Sequence, residues 1–95
     1  MTNITLSVDY LEREALRRSR FETHLDILKA ISEGAGKPTH IMYRANLSWV
    51  ALQAYLKSLI KKRLIVVKED GGRKIYELTD EGYKIMDYSL KIKMA

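Results

Sequence analysis

Val50, Gln53, Ala54, Lys57 and Lys61 recur at the spacing i, i+3, i+4, i+7, i+11 within WVALQAYLKSLIKKR, so a helix would carry them along one side. Their chemistry is that of a surface that reads a polyanion with bases exposed. A glutamine amide can donate to and accept from an adenine edge, small apolar groups lie against thymine methyls, and lysines reach phosphate or a guanine edge. Ser48, at the cap of this helix, and Trp49, at the border between its faces, complete the set. Upstream, Lys37, Thr39, His40 and Arg44 are spaced to meet a phosphate backbone, although Arg44 could equally pair with Glu33. Downstream, Arg73 and Lys74 follow Gly71-Gly72 at the tip of a charged hairpin that also carries Lys68, where they would reach an adjacent minor groove or its phosphates. Each of these residues, taken alone, could be an ordinary solvated side chain; their coincidence on one segment is what points to nucleic acid.

Charge distribution supports that reading. Of 17 Lys/Arg and 12 Asp/Glu in the 95 residues, seven and three fall in 48–78, so that segment holds +4 of the net +5. A surplus confined to one region is what a polyanion-binding surface needs. Other chemistry is poorly served. There is no cysteine for a nucleophile, thiolate ligand or disulfide. No H-E-x-x-H, glycine-rich phosphate loop or G-x-S-x-G occurs, and the two histidines, sixteen residues apart, lack a carboxylate at ligand spacing. We therefore expect no catalytic residues, no metal, no cofactor and no small-molecule substrate. No apolar run reaches membrane-spanning length and the first ten residues do not read as a secretory signal, which suggests a cytoplasmic, nucleoid-associated protein.

The elements that must position these residues are marked by caps and glycines. Residues 3–8 alternate like a short strand or arm, and Asp9 with Glu12 could open a helix through residue 18. SRFE at 19–22 is a capping box. The helix it starts should run to about Glu33 with Phe21, His24, Leu25, Leu28 and Ile31 on its inner face, before Gly34 and Gly36 stop it. His24 on such a face reads as a packed residue, not a ligand. Pro38 opens a short helix with Ile41 and Ala45 inward. Asn46-Leu47 makes a tight turn, and Ser48 caps the third helix, whose inner face is Leu52, Tyr55, Leu56 and Leu59 with Ile60 at its edge. Strands near 64–68 and 74–78 flank Gly71-Gly72, and Thr79 caps a last helix with Asp80 and Glu81 in its first turn.

This order predicts a mainly α chain with a small β-hairpin, a winged helix-turn-helix. Residues 1–18 would be an arm or helix able to touch a partner, 19–79 the DNA-binding domain, and 80–95 a dimerisation helix. The last helix carries two apolar stripes: Tyr83, Met86, Leu90 and Met94, and opposite them Ile85, Tyr88 and Ile92. One stripe suffices to hold a helix to its own core. The other would pair with a second copy in a homodimer, or be covered by Ile4, Leu6, Val8 and Leu11 of the same chain.

The string ILKAISEGAGKPTHIMYRANLSWVALQAYLKSLIKKRLI followed by YELTDEGYKIM closely resembles the archaeal winged-helix proteins of the Sulfolobus ten-kilodalton DNA-binding type. KPTHIMYRANLS is the specific part; the LT-D-E-G stretch is common to many winged-helix regulators. The resemblance covers roughly residues 19–94. It implies homodimerisation through the C-terminal helix and binding to double-stranded DNA, as chromatin protein, transcriptional regulator or, as for similar proteins of archaeal viruses and plasmids, partition protein. This chain departs from that pattern in a shorter last helix and in residues 1–18, which would allow an arm crossing to the partner. The alternative from another class is a protein-interaction module docking through Trp49, Val50 and Ala54.

Overall fold

The computed structural model describes residues 19–94, and the sequence reading of residues 1–18 lies outside them. Four helices and one hairpin follow in the order α1 (Arg20–Ser32), α2 (Pro38–Ala45), α3 (Trp49–Lys61), β1 (Ile65–Asp70), β2 (Arg73–Leu78) and α4 (Asp80–Met94).

Three of the four helix starts are closed by a side-chain cap, and the fourth, at Pro38, has none. Ser19 Oγ accepts from the Glu22 amide at 3.1 Å, Ser48 Oγ from the Ala51 amide at 3.1 Å, and Thr79 Oγ1 from the Gly82 amide at 3.1 Å. The helix ends share one device. After α1, Gly34 takes φ +100° while its amide bonds Ile31 O and the Ala35 amide bonds Ala30 O. After α2, Asn46 takes φ +54°, with its amide on Tyr43 O and that of Leu47 on Met42 O. After α3, Arg63 takes φ +60°, with its amide on Ile60 O and that of Leu64 on Leu59 O. All three are Schellman motifs, which satisfy the last carbonyls by turning one residue left-handed. Glycine does this without strain and asparagine at little cost, but Arg63 does it against its Cβ. The third helix therefore stops at Lys61, two residues short of the KKR expected from its sequence.

β1 and β2 pair antiparallel from Ile65 opposite Leu78 to Asp70 opposite Arg73. The two-residue turn needs positive φ at both centres, and Gly71 and Gly72 supply +58° and +81°. The strands are longer than expected at the tip end. One further backbone bond, Tyr76 amide to Gly36 O at 2.8 Å, fastens the α1–α2 loop to the free edge of β2.

The core joins Ile27, Leu28 and Ile31 of α1, Ile41 and Ala45 of α2, Leu52, Leu56 and Leu59 of α3, and Leu64, Ile65 and Tyr76 around the hairpin. The α2 and α3 inner faces are those expected. That of α1 is rotated: Thr23, Ile27, Leu28, Ala30 and Ile31 are buried, whereas Phe21 is 59% exposed and Leu25 only half-buried. α1 is contacted by α2, β2 and α4, so neighbours on several sides widen its buried arc and draw in small residues such as Ala30 and Thr23.

α4 shows the same effect more strongly. Its inward residues are Gly82, Ile85, Met86 and Ser89, at helical spacing. Ile85 packs against the core and Met86 lies beside Leu25 and Lys29 of α1, so one member of each apolar stripe faces inward. The expectation of two opposite stripes gives way to one small-residue inner face with an apolar shoulder on each side: Tyr83 and Leu90 on one, Tyr88 and Ile92 on the other. Gly82 is small because a Cβ there would overlap the Leu64 carbonyl oxygen. Two outcomes are expected in chemical denaturation. Gly82→Ala, which at an ordinary helix position would gain about 1 kcal/mol, should instead lose roughly 1–3 kcal/mol through overpacking. Arg63→Gly should gain roughly 1 kcal/mol by relieving the left-handed residue.

Candidate nucleic-acid interface

α2 and α3 are joined by residues 46–48, and both bury their inner faces in the same core, leaving their outer faces to solvent. On α3, Val50 is 80% exposed, Trp49, Ala54, Lys57 and Lys61 are exposed, and Gln53 is half-buried between them. Ser48 is exposed, and its Oγ accepts from the Ala51 amide and so holds the first turn of α3.

On α2, Thr39, His40 and Arg44 are exposed, as is Lys37 just before the helix. Arg44 Nη1 bonds Glu33 Oε1 at 3.3 Å, the alternative open to it from the sequence. Both side chains remain half-exposed, so this pair is weak and can yield to a phosphate. Sequence reasoning missed Tyr43, which is 77% exposed on the same side as His40 and Arg44. Its i+3 relation to His40 was the available signal. Tyr43, Trp49 and Val50 give the helix-turn-helix surface an apolar, aromatic component.

The hairpin itself carries no net charge. Residues 64–78 hold Lys68, Arg73 and Lys74 against Glu69, Asp70 and Glu77, three of each sign. Glu69 stands opposite Lys74, Asp70 opposite Arg73, and Lys68 Nζ bonds Glu77 Oε2 at 2.8 Å. The wing is thus neutral overall. The surplus of 48–78 resides in Lys57, Lys61, Lys62 and Arg63, four cations with no acid between Ser48 and Arg63. Three of them crowd the C-terminal end of α3, where they also complement the helix dipole. Arg73 and Lys74 remain exposed at the tip.

Among the described residues no group of three or more His, Asp or Glu is placed to hold a metal, and no helix is long and apolar enough to cross a membrane.

Comparison with known proteins agrees with this architecture. Sso10a-2, a DNA-binding protein from Sulfolobus solfataricus, superposes with a TM-score of 0.71 at 30% identity, covering 81% of each chain. The transcriptional regulator BldR of the same organism gives a TM-score of 0.69 at 22% identity over 77% of this chain and 55% of BldR, a likeness of fold. The uncharacterized protein MJ0287 of Methanocaldococcus jannaschii is 35% identical over 77 residues, 75% of this chain and 79% of that protein. Residues 17–94 match the sequence model of the winged helix-turn-helix family, and with the helix-turn-helix, the hairpin and the closing helix all in place the chain belongs to that family.

Proposed function

We propose that the protein binds double-stranded DNA as a homodimer, with α3 in the major groove. The observation that carries this reading is the outer face of α3: slim at Val50 and Ala54, polar at Gln53, cationic from Lys57 onward and free of acids. The major groove, about 12 Å wide, admits one helix with such a face. Lys57, Lys61, Lys37 and Arg44 neutralise phosphates and release counterions, Gln53 supplies base preference, and the neutral wing contributes position through Arg73 and Lys74. The likeness to a DNA-binding protein at 30% identity over 81% of the chain supports the same reading.

The dimer is supported by α4. Tyr88 is 68% and Ile92 58% exposed, on a shoulder that the core of the described residues leaves uncovered. Large apolar residues adjacent on one helix and open to water are costly unless a partner covers them. A second copy of α4 packed there would relate two α3 helices by a twofold axis and match palindromic half-sites one DNA turn apart. On this reading the protein is a cytoplasmic, nucleoid-associated regulator or chromatin protein. The exposed Tyr43, Trp49 and Val50 favour one rival, docking onto another protein through apolar contacts.

Salt titration of DNA binding should show affinity falling about 10³–10⁵-fold between about 50 and 200 mM salt if a dimer makes roughly 6–10 phosphate contacts. Lys57→Ala, which removes one phosphate contact from each protomer of the dimer, should lower the log–log slope by about 2, while Gln53→Ala should leave the slope and relax base preference by about 1–3 kcal/mol in each half-site. Affinity indifferent to salt would instead favour apolar docking. In sedimentation, Tyr88→Asp with Ile92→Asp should shift the protein from dimer to monomer without loss of helicity; a variant that stays dimeric rules out this shoulder as the interface.

A further inference from the structure

A recess of about 570 Å³ lies between the N-terminal half of α1 and α3. Arg20, Phe21 and His24 line it from the α1 side, and Ala54, Tyr55 and Lys62 from the α3 side. Among the described residues no carboxylate lines it, and neither Arg20 nor Lys62 has an ion pair. Burial first, then the charges of Lys62 and Arg20, hold the His24 imidazole below the ordinary histidine range, so both cations act on the same space. His24 Nε2 is buried with no hydrogen-bond partner among the described residues, and buried polar atoms are rarely left so. Phe21, which the helical pattern assigned to the core, stands 59% exposed here. Among the described residues the recess thus combines two unneutralised cations, an unsatisfied imidazole and an uncovered aromatic ring.

The chain carries a segment of matching chemistry next to this recess. Residues 9–14, DYLERE, hold Asp9, Glu12 and Glu14 against Arg13, a net charge of −2, with Tyr10 and Leu11 between the acids. Glu12 precedes Ser19 by seven residues, and α1 begins at Arg20, itself part of the recess wall. Seven residues reach up to about 25 Å when extended. A tether this short gives an effective concentration on the order of millimolar, which favours this segment over an untethered competitor. The other surface open to it, α4, holds three acids and three bases over residues 80–94 and so offers an acidic segment no net attraction. We propose that residues 9–14 of the same chain dock in the recess, with Tyr10 and Leu11 against Phe21 and Tyr55 and the acids on Arg20 and Lys62, and that the docked segment opposes DNA binding.

The first half stands on the recess and the sequence alone; the second rests on the DNA-binding reading of α3. The coupling is geometric and electrostatic. Ala54 belongs both to the recess and to the outer face of α3, and Lys62 follows Lys61 at the cationic end of that helix. A segment seated there flanks the face that would enter the groove and neutralises part of the charge that draws phosphate. DNA and the segment then compete for the same side of α3, so binding to the duplex has to displace the segment first.

Two measurements on the full chain test the docking without DNA. In the first, unaltered protein and a heavy-nitrogen-labelled copy are refolded together, cross-linked at zero length with a carbodiimide and mapped by mass spectrometry. Asp9, Glu12 or Glu14 should be joined to Lys62 within one isotopic chain. Links between isotopically different chains hand the recess to a second copy and overturn the same-chain occupant; absence of any link to Lys62 overturns the docking. In the second, advantage is taken of a chain without cysteine: Leu11→Cys with Ser58→Cys, Ser58 being part of the recess wall, adds one disulfide. It should close under mild oxidation, whereas Leu11→Cys with Lys91→Cys on α4 should not. Lys62→Glu should slow closure about tenfold, and Glu12→Lys added to it should restore the rate. Faster closure to position 91, or a rate indifferent to Lys62→Glu, overturns the placement. With duplex present, the disulfide-locked form should bind at least about tenfold more weakly than the same protein reduced, its composition being unchanged. Failure of the reduced protein to bind DNA sinks the function above and leaves the docking standing, whereas equal affinity of locked and reduced forms overturns the opposition to DNA alone.

Discussion

The arrangement depends on one backbone junction. Where α3 ends and β1 begins, two successive carbonyls are taken by a single residue from far along the chain. Thr79 Oγ1 donates to Arg63 O at 2.6 Å and the Thr79 amide donates to Leu64 O at 3.1 Å. The same hydroxyl accepts from the Gly82 amide and so caps α4. Gly82 then lies directly against Leu64 O, with no room for a side chain. The end of α3, the root of the hairpin and the start of the last helix are held at one point. That point fixes how the wing stands beside α3 and in which direction α4 leaves. The L-T-D-E-G stretch, which reads as helix capping alone, is this clamp seen in one dimension.

The way the helices stop explains how a short chain presents so much surface. Each Schellman turn uses one left-handed residue and lets the chain reverse within three to five residues. The second of them, at Asn46, is the turn of the helix-turn-helix. Because α2 and α3 are joined so tightly and anchored by Ile41, Ala45, Leu52, Leu56 and Leu59, their outer faces are presented by a rigid core and need little ordering on binding. Charge is distributed by the same economy. Cations that stabilise the C-terminal end of α3 through its dipole are also those available to a polyanion. The hairpin, whose acids face its bases across the ladder, adds shape without adding net charge.

α4 illustrates how a small inner face leaves larger apolar residues at the surface. Gly82 and Ser89 are buried where a larger side chain would have pushed the helix away, and Ser89 Oγ satisfies itself on Ile85 O. Close seating brings Ile85 and Met86 inward and leaves Tyr83, Leu90, Tyr88 and Ile92 on the shoulders. The helix is thus committed to its own core through small and medium residues.

What the sequence alone determined is everything governed by short-range backbone chemistry. Caps at Ser19, Ser48 and Thr79, stops at Gly34 and Asn46, and the Gly71-Gly72 turn involve donors and acceptors only a few residues apart, so the element order, the winged architecture and the outer face of α3 were legible. Tertiary structure decided what depends on which element stands next to which. It turned Phe21 outward and Ala30 inward on α1, gave Arg44 to Glu33 and Lys68 to Glu77, and made Gly82 a contact point. It also brought Arg20, His24 and Lys62 around one recess although Arg20 and Lys62 are distant in the chain. Burial and pairing are set by neighbours across space, and periodicity on a single helix carries no record of how many sides those neighbours occupy.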